Sequence, residues 1–285
     1  MPGSMALKVF VSPYKPFNGA SRTWDPGRRA TWPASTATLI EGENDAVLID
    51  GLMTLAEGDE LLAWIRQAGK RLTAAYVTHA HADHFFGLGP VLEGFPYARL
   101  VTHADVVRPA AEQAAPEALA RWHSFFPGQI ADHPVTPTAL PGDELQVQGQ
   151  SLKCLLVGQS DVEQSTVVHV PELDAVVAGD VAYNRVHMWL AGSDPKARAA
   201  WIESLNAIER LRPETVIAGH KDPDAPDDVA ARVLDESRQY IRDFDEIVEV
   251  SDSAQEIVAK MLARHPDLGN PFTLTFAADS QRPQG

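Results

Sequence analysis

Four ligand-type side chains, His79, His81, Asp83 and His84, fall within six positions directly behind the run Leu72-Thr73-Ala74-Ala75-Tyr76-Val77. That run reads as a β-strand, so the cluster occupies the loop at its C-terminal end. On an extended segment residues two apart point to the same side, which lets His79 and His81 converge on one ion. Asp83 and His84, after the chain turns, face a second ion beside the first. Neutral imidazole and carboxylate suit Zn²⁺, one ion or two, and also Mn²⁺ or Fe. The competing reading is a loop of surface histidines. A metal site needs further ligands from distant sequence, and two pairs offer them: Gly179-Asp180 behind Ala175-Val176-Val177-Ala178, and Gly219-His220 behind Thr215-Val216-Ile217-Ala218. Each sets a ligand-type side chain after an apolar strand and a glycine that permits close approach. Alone, either pair reads equally well as a turn.

The rest of the chain alternates the two periodicities. Thr36-Ala37-Thr38-Leu39-Ile40 and Ala46-Val47-Leu48-Ile49-Asp50 read as a hairpin across a turn-rich linker. Helical spacing runs from Asp59 to Ala68 and stops at Gly69, another helix begins at Leu88, and Ala98–Thr102 reads as a strand. Residues 107–135 read as a helical insertion open to the roles of lid, pocket wall or dimer surface. Strands follow at Leu145–Val147, Leu152–Val157, Thr166–Val170, Ala175–Ala178 and Thr215–Ala218, with a helix over Pro195–Leu211 and C-terminal helices over about 227–266. Two β-rich halves with helices outside predict two packed sheets covered by helices.

The net charge of −15 is the wrong sign for releasing phosphate counterions, so nucleic acid is not an expected partner. Cys154 is the only cysteine and sits in an apolar strand, where a buried structural thiol is expected. Met1–Ser4 lacks the basic and apolar regions of a secretory leader and reads as a cloning remnant ahead of Met5. No apolar run reaches membrane-spanning length, and the expected location is the cytoplasm.

Taken together, Thr78-His79-Ala80-His81-Ala82-Asp83-His84, Ala46-Val47-Leu48-Ile49-Asp50-Gly51, Gly179-Asp180 and Gly219-His220 resemble the metallo-β-lactamase-fold hydrolases in order and spacing. The resemblance covers residues 36–221. It implies one domain over 5–285, an αββα four-layer sandwich of α/β class with a helical C-terminal extension. His79 and His81 would belong to metal site one, Asp83, His84 and His220 to site two, and Asp180 would bridge the two.

One position departs from the family pattern. Gln159, in Gly158-Gln159-Ser160-Asp161, stands where the family usually carries a third site-one His, and a neutral amide oxygen is a poorer Zn²⁺ ligand than imidazole. Three readings stay open: Gln159 as a weak ligand of a working two-ion site, an empty or labile site one, or an engineered or degenerate site. Asp161 is near enough in sequence to substitute.

The resemblance implies a metal-dependent hydrolase that turns a metal-bound hydroxide on a small ester, lactone or amide, with Asp83 orienting it and shuttling the proton. The alternatives are an iron dioxygenase-like member, or a ligand-binding protein with a weakened site one. The partners expected are a small-molecule substrate and, among the roles of the helical surfaces, a second copy of the chain. Tyr183, His187 and Trp189 are candidates to line the substrate pocket, because loops behind ligand strands often build sites. His169 reads as an ordinary strand histidine, and the stripe Val233, Leu234, Tyr240, Ile241, Phe244 as core.

Overall fold

The structure is a computed structural model that describes residues 5–282; Met1–Ser4, read above as a cloning remnant, lie outside the described residues. Strand β1 (Ala6–Val11) leads into a small ribbon of β2 (Lys15–Pro16) and β3 (Thr31–Trp32). The expected hairpin follows as β4 (Thr36–Glu41) and β5 (Asp45–Ile49), then α1 (Leu55–Gln67), β6 (Arg71–Val77), α2 (Leu88–Gly94) and β7 (Arg99–Thr102). The insertion is two helices, α3 (Ala104–Gln113) and α4 (Pro116–Phe125), ending at β8 (Thr138–Ala139). The second half is β9 (Glu144–Val147), β10 (Gln150–Gly158), β11 (Ser165–Val170), β12 (Ala175–Asn184), α5 (Pro195–Arg210) and β13 (Thr215–Lys221). Helices α6 (Ala230–Glu249), α7 (Ala254–Arg264) and α8 (Pro271–Gln281) close the described chain.

Two sheets result, one ordered β1-β4-β5-β6-β7-β8 and the other β13-β12-β11-β10-β9. Strict alternation explains why their central strands read as unbroken apolar runs. In β5, Val47 and Ile49 face the space between the sheets while Ala46 and Leu48 face helices; in β6, Ala74 and Tyr76 do the former and Ala75 and Val77 the latter. The second sheet mirrors this, with Val177 and Ile217 inward and Val176, Ala178, Val216 and Ala218 toward α5 and α6. A strand buried on both faces has no polar side to show. The architecture is therefore the four-layer αββα sandwich. Cys154 lies buried in the middle layer, where burial pushes its thiol up to about 12.

Helix α1 begins four residues before the expected Asp59. Thr54 caps it: its hydroxyl accepts from Glu57 N at 3.2 Å, while Glu57 Oε2 accepts from Thr54 N at 2.9 Å. Gly58, inside the first turn, lets the helix lie on the carbonyl of Gly87, where a Cβ would collide. Helix α8 was not anticipated. Its apolar side chains point two ways: Phe272 and Phe276 pack into the first-sheet cluster, and Leu274, Ala277 and Ala278 into the second-sheet cluster. A wedge between two cores carries no one-sided stripe to betray it. Among the described residues no helix is long and apolar enough to cross a membrane.

Replacing Thr54 by Ala removes the cap and is expected to lower unfolding free energy by about 1 kcal/mol in urea titrations; an unchanged midpoint would place the start of α1 under other control.

Candidate metal centre

The site forms where strand ends of both sheets meet. His79, His81, Asp83 and His84 follow β6, Asp161 follows β10, Asp180 lies within β12, and His220 near the end of β13. The parallel pairing of β12 with β13 sets Tyr183 beside His220, and a bridge from Ser35 to His220 ties the first sheet to the second. The glycines act as anticipated. A Cβ on Gly219 would overlap the Asp180 carboxylate, and Gly179, at φ +50, would set a Cβ 2.5 Å from Thr78 Oγ1.

Two groups of ligand atoms emerge, each with its members within 4.8 Å of one another: His79, His81, Asp161 and Asp180; and Asp83, His84 and His220. Asp180 also reaches the second group, with Oδ1 3.2 Å from His84 Nε2 and Oδ2 3.1 Å from His220 Nε2. Gln159, whose role three readings leave open, donates its amide to Ser160 O at 2.8 Å. Strand β10 ends on Gly158 at φ +104, and a tight turn closed by Ser160 N donating to Val162 O swings Asp161 inward. The Asp161 side chain is only 1% exposed, and its Oδ2 lies 2.6 Å from His81 Nδ1.

Outer contacts set the face each group presents. His84 Nδ1–H donates to Asp50 Oδ2 at 3.0 Å, and His220 Nδ1–H donates to Ala34 O at 3.0 Å. A carboxylate and a carbonyl only accept, so in each ring Nε2 is the nitrogen left facing Asp180; burial pulls both rings down, and the surrounding carboxylates, Asp180 foremost, more than reverse it. Asp50 also accepts from Thr78 N and Thr78 Oγ1, at 2.8 and 2.9 Å. It does so from a left-handed backbone (φ 60), which costs an L-residue about 1–2 kcal/mol. Tyr183 Oη donates to Asp180 Oδ2 at 2.9 Å, and Trp32 Nε1 donates to Asp83 Oδ2 at 2.8 Å.

The local charges are strongly coupled. Burial alone would raise Asp83, but His84 and His220 outweigh it and hold its carboxyl at about 2. Asp180 is likewise held well below the carboxylate range against burial, by His220, His84 and His79. Burial pulls His81 down, and Asp161 more than reverses it to about 9. Burial and the charge of His84 keep His79 low. Four buried atoms, His79 Nε2, His84 Nε2, Asp161 Oδ2 and Asp180 Oδ1, have no hydrogen-bond partner among the described residues. Ring nitrogens and carboxylate oxygens gathered without hydrogen bonds fit a cation between them.

Residues 30–220 match the family model of the metallo-beta-lactamase superfamily, about two thirds of the chain. The chain belongs to the metallo-beta-lactamase superfamily. Solved members with the same fold include a beta-lactamase domain protein from Burkholderia ambifaria, 19% identical, with a TM-score of 0.63 over 86% of this chain and 80% of that one. A metallo-beta-lactamase family protein from Thermus thermophilus, 19% identical, aligns over 93% of this chain and 91% of that one with a TM-score of 0.62. The metallo-beta-lactamase FIM-1 from Pseudomonas aeruginosa in its mono-zinc form, 15% identical, gives 0.56 over 85% and 96%. No curated protein matches the chain.

A cavity of about 270 Å³ opens over the centre, with His81, Asp83, Asp161, Asp180 and His220 on its floor. Of the three residues expected to line it, Trp189 does. Tyr183 reaches Asp180 from behind and lines a separate cavity of about 170 Å³. His187 faces away, fully buried, with Nδ1 3.0 Å from Tyr240 Oη. The turn after β12 carries it into the helical layer, so it belongs to packing. Sequence reasoning missed Trp32, which is 51 positions from Asp83 and carries no local signal, and it left Asp50 without a role.

Trp32→Phe keeps a ring in the wall and removes only the donor to Asp83. By analogy with other outer-shell partners, metal affinity should fall about 10–100-fold in chelator-competition titrations. Unchanged affinity would mean that Asp83 is oriented by other contacts.

Proposed function

We propose that this superfamily member is a metal-dependent hydrolase of small ester, lactone or amide substrates. The carrying observation is the pair of candidate ligand groups, both reached by Asp180, at the floor of a cavity. In this reading His79, His81 and Asp161 hold site one, Asp83, His84 and His220 hold site two, and Asp180 bridges. Asp161 supplies the ligand that Gln159 does not. Each set has two imidazoles and one carboxylate beside the shared Asp180, a mixture that suits Zn²⁺ and also accommodates Mn²⁺ or Fe²⁺.

When bound, the ions lower the pKa of water toward neutrality and polarise an acyl oxygen. The chain's own residues supply orientation. Asp83, ionised and held at Oδ2 by the Trp32 indole, accepts a proton from the attacking water at the cavity floor. Tyr183, whose hydroxyl burial and Asp180 keep protonated, holds the bridging carboxylate by donating to it. Asp50 and the Ala34 carbonyl fix the His84 and His220 rings, so little reorganisation is needed as charge develops.

Asp161→Ala is expected to lose one of two bound ions per chain by elemental analysis of zinc-loaded protein, whereas Gln159→Ala keeps both. The reverse result would return Gln159 to the ligand set. His84→Ala and Asp180→Ala should each lower turnover on an ester, lactone, thioester and amide panel by more than the roughly 10–100-fold typical of outer-shell partners. Activity equal to the parent in either variant would overturn the hydrolytic site.

A further inference from the structure

The walls of the cavity over the centre differ sharply from its floor. Phe17, Trp32, Trp122, Phe125, Trp189 and Phe276 surround it. The rings pack on one another: Trp32 lies 5.8 Å from Trp122 and 5.6 Å from Trp189, and Trp189 lies 5.2 Å from Phe276, centroid to centroid. The polar groups of the rings themselves are already committed, and Gln113 and Arg121 complete the lining, Arg121 with its guanidinium 5.8 Å from the Trp122 ring centroid. Trp32 Nε1 is committed to Asp83, and Trp122 Nε1 to Gln113 Oε1 at 3.1 Å. Trp122 and Phe125 come from the inserted helix α4 and Phe276 from α8. Phe17 and Phe276 lie outside the residues that match the family model.

We infer that this aromatic chamber seats an uncharged, apolar part of the substrate, larger than a single ring, beside the bond to be cleaved. An apolar cavity of roughly 150 Å³ takes a benzene molecule, and this one offers about 270 Å³. Among the rings a charged or hydroxylated group would lose its water and find no free ring donor, with Arg121 set to one side over the Trp122 face, whereas an alkyl chain or fused aryl group meets ring faces on several sides. Trp122 and Phe276, entering from helices on separate parts of the chain, set how long a group fits. That the occupant is a substrate rests on the hydrolase reading; its chemistry rests on the chamber alone.

The test separates the two. Straight-chain 1-alkanols from ethanol to decanol cannot be hydrolysed, and their binding to the full-length chain is read by calorimetry and by tryptophan fluorescence. Affinity should rise about fourfold per added methylene until the chamber is full, and then level off. Trp122→Ala should move that limit to longer alcohols and Phe276→Trp to shorter ones. Affinity independent of chain length, or a limit unmoved in both variants while circular dichroism shows them folded, would overturn the chamber. A p-nitrophenyl ester series, with zinc- or manganese-loaded protein, should then show the same length limit in KM. Esters left intact while the alcohol limit holds would overturn the hydrolase reading and leave the chamber standing. Esters cleaved without length preference, beside alcohols that do not bind, would do the opposite.

Discussion

Three carboxylates, Asp83, Asp161 and Asp180, stand with four imidazoles in a space almost closed to water, and each carboxylate side chain is no more than 2% exposed. Burying charge costs several kcal/mol per ion unless partners repay it. Hydrogen bonding repays only part of it here, because the outer contacts are already committed. Asp50, the Ala34 carbonyl, Trp32 and Tyr183 take the far sides of His84, His220, Asp83 and Asp180. The near sides, ring nitrogens and carboxylate oxygens, face one another. A cation between them resolves the conflict, and the rest of the architecture is built to keep that conflict in place.

The sandwich does this by stiffness. The candidate ligands other than Asp161 sit at or near the ends of β6, β12 and β13, strands whose two faces are buried in separate cores, so these strands cannot slide or turn to relieve repulsion at their tips. Strain is tolerated at the same edge: Asp50 and Leu52 both hold left-handed backbones, at φ 60 and 62, around the carboxylate that anchors Thr78 and His84. Helices α4 and α8 then close the edge with rings. Trp32 belongs to both regions, since its face lines the aromatic wall and its N–H holds Asp83, so the aromatic wall and the cluster of candidate ligands share one side chain.

What was legible in the sequence is what local pattern encodes. The central strands show as apolar runs because both faces are buried, and the histidine cluster shows because its members lie on one loop. Gly179 and Gly219 were readable as close-approach positions, and the atoms a side chain would strike there are Thr78 and Asp180. The family pattern left Gln159 open and Asp161 near enough to substitute; the turn after Gly158 brings the Asp161 carboxylate to His81, a direction that residue spacing after a left-handed residue does not encode. Trp32, Phe17 and Phe276 meet only through tertiary folding, and nothing near them in sequence marks them as neighbours of the site. The His187 expectation failed for a related reason. Nearness in sequence to Asp180 did not become nearness in space, because the turn after β12 leads into the helical layer.

Crystals of zinc-loaded protein, measured on both sides of the zinc absorption edge, test the central claim most directly. The account predicts two anomalous peaks on either side of the Asp180 carboxylate. One should be reached by His79, His81 and Asp161 and the other by Asp83, His84 and His220, at about 2.0–2.2 Å for nitrogen and oxygen. Protein that shows no peak there, or a first-site ion held by Gln159 with Asp161 turned away, would contradict it.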